Sequence, residues 1–343
     1  VLHDGNYLMP PGSVRTGAGE AYKIYTPFAR ALIPRLPGRE VLDVPRLPAP
    51  DDWPRGDALK DWALLPTRPD WAGGMRGFWK AGEAAAQTRL GAWLGDVAAY
   101  DCTRNLPSAD GSSRLSAHLH WGELSPLQVW TAIAGGQGDG YTSFRGELVW
   151  RDYAQNVIAQ FPDYGERSFR APFAGFAWRD PATDAHAADD LRAWQQGRTG
   201  YPIVDAGMRQ LWSTGWMHNR VRMIAASFLV KHLLIDWRYG ERWFWDTLVD
   251  ADYASNAVNW QWVAGTGVDA NMFPRIMAPL VQSEKFAAGA YIRRWVPELA
   301  SLPDGEIHDP EGLLRPAGYP EKRIGHRQAR ERALAAYAAI KGA

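Results

Sequence analysis

Between residues 250 and 262 the chain reads DADYASNAVNWQW. Two carboxylates, Asp250 and Asp252, are followed by two amides, Asn256 and Asn259, and then by Trp260 and Trp262 on either side of Gln261. Every buried polar group needs a partner, so this mixture makes a poor ordinary core and a good wall for a ligand that is both aromatic and polar. Three other segments offer related chemistry. In GSSRLSAHLHWGELSP, Ser112, Ser113 and Ser116 bring hydroxyls and backbone N–H groups to the start of a predicted helix, a natural seat for phosphate oxygens; a serine-rich helix cap is the commoner origin of such a run. In RGELVWRDY, Glu147 and Trp150 share a helix face at a spacing of three, with Arg151 within the same turn or so. A carboxylate beside Trp on a buried face asks for a ligand to satisfy it. In GWMHNRVRMIAASF, Asn219, Arg222 and Met223 lie on one side of a helix at spacings of three and four. A solvated basic face is the plain alternative, but the apolar MIAASFLV that follows drives this helix inward. A buried Arg222 then needs a carboxylate, and Asp250 offers one.

Other common chemistries find no foothold. The sequence has no G-x-x-x-x-G-K-[ST] loop, no H-E-x-x-H and no C-x-x-C, and GAG at 17–19 lacks the rest of a dinucleotide fingerprint. His118 and His120 lie two apart, on different sides of a helix, and read as structural residues rather than metal ligands.

The elements that must position these residues are mostly helices. From Gly82 onward, GEAAAQTRLGAWLGDVAAY, SFRGELVWRDYAQNVIAQF, ADDLRAWQQG and the C-terminal EKRIGHRQARERALAAYAAIKG carry apolar residues three and four apart, as helices require. PIVDAGMRQLWSTGWMHNRVRMIAASFLVKHLLIDW reads as two helices broken near 213–215. Strand alternation is nearly absent after residue 82, so the main body is predicted to be all-α. Residues 1–80 are rich in breakers, with eight prolines between Pro34 and Pro69, and read as a long ordered connector. At 343 residues, one large domain or two are possible. Lys plus Arg equal Asp plus Glu at 38 each; a neutral total leaves room for a local basic patch. The single cysteine, Cys102, excludes an intramolecular disulfide and a cysteine metal cluster, and a cytosolic home follows as the default. Neither a signal peptide nor an apolar run of about 20 residues is present, and the start at Val1 suggests a processed or partial chain. Tryptophan is the compositional outlier, with 18 among 42 aromatics; most are expected in the core, and a subset at a cofactor or stacked on bases.

Taken together, SSRLS, ELVWR, TGYPIVDAGMRQLWSTGWMHNRVRM, LLIDWRYGERWFWDTLVDAD, NWQWVAGTG and the EKF that follows RIMAP resemble the FAD-binding domain of the photolyase and cryptochrome family, closest to class I-like cyclobutane pyrimidine dimer photolyases. The resemblance implies a helical FAD-binding and repair domain over 82–343. Residues 1–81, with YKIYTPFARA as their recognisable piece, match the connector and the end of an α/β antenna domain that is itself missing from this sequence. It further implies that Tyr100 and the run Ser112, Ser113, Arg114, Leu115 and Ser116 hold the FAD pyrophosphate, with Asn219, Arg222, Asp250, Asp252 and Asn256 around the flavin and its sugar chain. Asn256 faces the central-ring nitrogen on this reading. Glu147 and Met223 contact the bases of the dimer, Trp150 and Trp262 wall it in, and Arg104, Arg151, Arg220, Arg275 and Gln282 meet substrate or DNA. Trp260 and Trp237 match the inner two tryptophans of an electron relay. Trp178 is the expected outer one, although PATDAHAADD makes the gap to Trp194 longer than in the family. Six-four photolyases carry a histidine pair where this chain has MHNR, which favours the cyclobutane dimer, and an amide at Asn256 suits a fully reduced flavin. The implied activity is light-driven repair of UV-damaged DNA by electron transfer from reduced, anionic FAD to a flipped-out dimer, in a monomer without membrane or metal. The alternative is a blue-light photoreceptor that binds FAD and repairs nothing. A second, antenna chromophore belongs mostly to the missing domain.

Overall fold

The computed structural model describes residues 5–43, 45–46, 48–65, 68–270 and 273–341. Helices α1 (Tyr25–Leu32), α2 (Asp139–Gln160), α3 (Pro202–Thr214), α4 (Asn219–Ser227), α5 (Trp237–Thr247) and α6 (Tyr253–Ala264) form or support the site, α1 and α3 by packing against α2 and α4, with α7 (His326–Lys341) closing the chain. Among the described residues extended backbone pairs only in isolated bridges, Arg15 with Ala21 and Arg179 with Ile235. The body is mainly α, as its periodicity predicts.

Local chemistry sets the helix ends. Pro202 opens α3, where its missing N–H costs nothing, and Gly215 stops it with φ +66°, inside the predicted break. His218 caps α4, its Nδ1 accepting from the backbone N–H of Arg220 at 3.2 Å. Asp252 caps α6 by accepting from the N–H of Ser255 at 2.8 Å, and Gly265 ends it at φ +76°, where a Cβ would sit 2.5 Å from the Phe273 nitrogen. The charged C-terminal helix starts later than its sequence pattern predicts. Residues 321–325 instead run along the Thr199 turn, where the N–H of Arg323 donates to Thr199 O at 3.0 Å.

Buried apolar side chains gather in two clusters. One is built from α3, α4, α5 and the end of α6, with Leu211, Phe228, Trp237, Phe244 and Trp260 in it. The other joins α1 and α2 to the start of α6 through Phe28, Leu148, Tyr153, Ala257 and Val258. Helix α6 therefore belongs to both. The N-terminal segment is fastened to the back of α2 by residues four apart. Asp152 accepts from the N–H groups of Leu8 and Met9 at 3.1 and 3.0 Å, while Asn156 and Gln160 donate to Tyr22 O at 2.7 and 2.9 Å. Among the described residues, no helix is long and apolar enough to cross a membrane.

Two amides of the 250–262 stretch support the fold to very different extents. Gln261 is fully buried; its Nε2 donates to Tyr164 O at 2.5 Å and Arg167 O at 3.0 Å, and its Oε1 accepts from Phe169 N and Thr266 Oγ1. Asn259 is exposed at the cavity lining and donates back to Ser255 O of its own helix at 2.7 Å. Gln261→Leu strands several of these buried groups and is expected to destabilise the fold by about 3 kcal/mol or more. Asn259→Ala should stay within about 0.5 kcal/mol of the parent. Denaturant midpoints measure both, and equal shifts would refute this division of labour.

Candidate functional site

A cavity of about 440 Å³ lies between the two clusters, lined from both sides. Its most constrained element is a carboxylate. The Asp250 side chain is 2 % exposed, and its Oδ2 accepts from Arg222 Nη2 at 2.9 Å. Arg222 Nε donates to Met217 O at 2.8 Å, which fixes the guanidinium. Asp250 Oδ1 is buried with no protein partner. An orphaned buried carboxylate oxygen at a cavity wall calls for a donor supplied by a guest.

Asn256 sits nearby on α6. Its Nδ2 donates to Glu241 Oε1 at 2.8 Å and to Glu241 O at 3.0 Å. Both partners are acceptors, so the amide nitrogen must face them and the amide oxygen is left for the cavity. Glu241 was not singled out in the sequence, yet a signal was there: Trp237, Glu241 and Phe244 fall on one helix face, the same clue that drew attention to Glu147. Burial pushes the Glu241 carboxyl up, the hydrogen bond from Asn256 working against it.

Helix α2 and the end of α6 contribute further lining residues. Glu147, Trp150 and Trp262 line the cavity together with Asp252 and Met223. Glu147 Oε1 pairs with Arg104 Nη2 at 2.8 Å; burial pushes its carboxyl up, opposed by Arg104 and Arg220. Arg220 lies over the Phe286 ring and donates through Nε and Nη2 to Asn105 Oδ1 at 3.2 and 2.5 Å. Asn219 stands exposed at the first position of α4 and also reaches the cavity. Trp260 packs edge-to-face against Phe244 at 5.0 Å and Trp194 at 6.3 Å; Trp194 had no assigned part.

The remaining candidates lie elsewhere. Arg151 points to the opposite side of α2, donating to Asn6 O, Asn6 Oδ1 and Leu119 O. One residue on from Trp150 means about 100° around the helix, so in place of the expected DNA contact Arg151 bonds to Asn6 and Leu119. Tyr100 is buried against Trp93 and Phe144, and Leu115 is buried. The Ser112 and Ser113 carbonyls are held by Arg89 at 3.0 and 2.6 Å, and Ser116 opens the short helix Ser116–His120. None of these lines the cavity. Arg114 adopts φ +53°, lies over the Phe78 and Trp216 rings, and keeps a buried Nε without a partner. Trp237 is buried and donates through Nε1 to Ser168 Oγ at 3.1 Å. Ser168 and Trp178 line a separate cleft, where Trp178 rests on Phe176 at 4.2 Å. Arg275 is exposed, its carbonyl accepting from Lys231 Nζ at 3.0 Å, and Gln282 is half-buried on the helix Pro279–Lys285. His118 bonds to Glu123 at 2.5 Å, a structural contact.

His218 links the cap of α4 to the local charge. Desolvation first, and then Arg220, Arg222 and Arg114, push its imidazole down to about 4. Arg114 thus acts on the same helix start as the two cavity arginines.

A helical body whose cavity joins an orphaned carboxylate, an oriented amide and large aromatic side chains suits an aromatic, hydrogen-bonding guest. Comparisons make this specific. Residues 144–339 match the profile described as the FAD binding domain of DNA photolyase. The deoxyribodipyrimidine photo-lyase of Agrobacterium fabrum is 48 % identical over 98 % of this chain and 73 % of its own length. That of Escherichia coli is 40 % identical over 98 % and 72 %. A solved class III photolyase from Agrobacterium tumefaciens superimposes with a TM-score of 0.87 at 45 % identity, covering 99 % of this chain and 73 % of that one. A Synechocystis cryptochrome reaches 0.77 at 28 % identity over 96 % and 71 %. The chain belongs to the DNA photolyase family.

The His218 geometry yields a pH test. A neutral imidazole is required for the cap, and the folded-state value lies below the ordinary one. Its contribution is therefore complete above about pH 6.5 and lost as pH falls through about 4, worth up to about 3 kcal/mol. His218→Asn keeps a capping acceptor that does not titrate. Its acid-unfolding midpoint should lie below that of the parent, and coincident acid profiles would exclude His218 as the sensitive group.

Proposed function

We propose that the chain reverses cyclobutane pyrimidine dimers in DNA, driven by light, with FAD as its cofactor. The observation that carries this reading is that one cavity is lined by two complementary sets: the polar Asp250, Arg222 and Asn256, and Glu147 with the aromatic Trp150 and Trp262. The first set fits FAD. Asp250 Oδ1 lacks a donor, and the Asn256 oxygen is an acceptor matched to the N–H of a reduced ring. Arg114, with its orphaned Nε and the serine hydroxyls beside it, suits the pyrophosphate. Asn219 and Asp252 would complete the polar rim. When bound and reduced, FAD supplies the light-excited electron whose transfer and return open the cyclobutane ring without net redox change.

The chain's own residues do the rest. Trp150 and Trp262 offer stacking faces to a flipped-out dimer, Glu147 a hydrogen-bonding group held by Arg104, and Met223 a soft contact. Arg104, Arg220 and Arg275 serve the DNA phosphates, with Gln282 at the margin. Trp260 and Trp237 form the inner relay for reducing the cofactor. Trp178 is its outlet, supported by the cleft it shares with Ser168, the hydrogen-bond partner of Trp237. Residues 82–343 form the repair domain and 1–81 its connector, in a cytoplasmic monomer.

Reduced protein incubated with a dimer-containing oligonucleotide should restore intact pyrimidines under blue light and leave them dimerised in darkness. Absence of repair by fully reduced, FAD-loaded protein would transfer the chain to the photoreceptor class.

A second test concerns Asn256. Asn256→Asp puts a second carboxyl within hydrogen-bond reach of Glu241, and two such groups in a buried site share one proton at neutral pH. The introduced carboxyl becomes a proton donor where the amide was none. FAD content should stay at the parent level while the visible spectrum after illumination changes. An unchanged spectrum would mean that this side chain does not face the flavin.

A further inference from the structure

We propose that Tyr25, on the connector helix α1, is a positioning residue for lesion recognition: its ring fixes the plane of the Trp150 indole against which a flipped base stacks. The proposal rests on the reading of Trp150 as a wall of the lesion pocket. The Tyr25 and Trp150 rings are parallel within 3°, with centroids 3.5 Å apart. A full face-to-face stack is not the arrangement aromatic pairs choose unaided, since their quadrupoles favour offset or edge-to-face geometry. Something else must hold it, and Tyr25 is tied at both ends. Its backbone N–H donates to Asp269 Oδ2 at 3.0 Å, and its hydroxyl donates to Gly146 O at 3.2 Å. Tyr153 closes the edge, lying near-perpendicular to Trp150 at 5.5 Å and to Tyr25 at 5.7 Å.

Trp150 thus has one face covered by Tyr25 and one edge by Tyr153, while it lines the cavity and keeps 37 % exposure. The surface left free is the one a base can use. Burial, and then the charge of Glu147, push the Tyr25 hydroxyl up to about 12, so the backing ring stays neutral and adds no charge behind the wall. An indole that is already immobile loses no rotamer freedom when the guest arrives. Pre-organisation of one large side chain is worth roughly three- to tenfold in affinity.

The test uses the full chain loaded with FAD, a dimer-containing oligonucleotide, and its undamaged counterpart. Tyr25→Leu should weaken binding of the lesion three- to tenfold, leave undamaged DNA and FAD content unchanged, and slow repair at low substrate more than at saturation. Tyr25→Phe keeps the ring and the backbone tie to Asp269 but loses the hydroxyl tie, and should weaken lesion binding less than Tyr25→Leu does. In a Trp150→Ala background Tyr25→Leu should add nothing further. Parental lesion affinity in Tyr25→Leu, with weak binding in Trp150→Ala, would overturn the proposal and keep the wall. Parental affinity in Trp150→Ala would instead remove the wall reading itself. Should Tyr25→Leu not fold, Tyr25→Met removes the ring at similar bulk. Equal loss on damaged and undamaged DNA by either variant would assign Tyr25 to the fold and overturn the proposal.

Discussion

A carboxylate buried with half its hydrogen-bonding capacity unused is the constraint around which this structure is arranged. Arg222 pairs with Asp250 at 2.9 Å, and removing one member of such a buried pair typically costs 3–5 kcal/mol. The pair pins the start of α4 to the turn that leads into α6, and both helices face the cavity. The free oxygen, Oδ1, is tolerable where a guest completes it. Occupancy of the cavity and stability of the fold are therefore linked: a ligand that donates to Asp250 stabilises the folded chain by mass action.

Helix α6 carries that constraint into the rest of the molecule. Its first turns pack in the connector-side cluster and its last turns in the other, so any shift of α6 would disturb both cores. The polar residues along it have separate duties. Asp252 starts the helix, Asn256 is turned by Glu241, Gln261 holds the 164–169 loop, and Asn259, exposed at the cavity lining, bonds back to its own helix. Gly240 completes the arrangement, since a Cβ there would lie 2.1 Å from the Trp260 ring. The close approach of α5 to α6 depends on it.

What the sequence reveals and what it hides follow from distance along the chain. Helix faces are written at spacings of three and four, so Glu147 with Trp150, and Asn219 with Arg222 and Met223, are legible, as is the need of Arg222 for a carboxylate. Side-chain direction is less so: Arg151 follows Trp150 but faces the connector, because adjacent helical residues diverge. The phosphate-type run at 112–116 is recognisable as a motif, but its serines lie outside the cavity lining, with their carbonyls occupied by Arg89. Contacts between remote segments have no local signature. Tyr25 meets Asp269 across 244 positions, and Arg220 meets Asn105 across 115. Glu241 stands between these cases, detectable as a carboxylate on an apolar face although its partner is not.

The two aromatic walls explain, on the proposed reading, why a linked pair of pyrimidines is favoured over an ordinary flipped base. Trp150 is braced by Tyr25 and Tyr153, and Trp262 is half-buried against the larger core, so neither wall is free to collapse onto a thinner guest. A normal base entering such a slot gives up its own stacking and pairing and fills only part of the space. A cyclobutane dimer has already lost much of that stacking, and its two rings are joined, so ordering the second ring adds little entropic cost once the first is bound. Rigid walls thereby turn a difference in ligand stiffness into a difference in affinity. On that reading the N-terminal segment takes part in recognition through Tyr25, although Tyr25 lies far in sequence from Trp150 and Trp262.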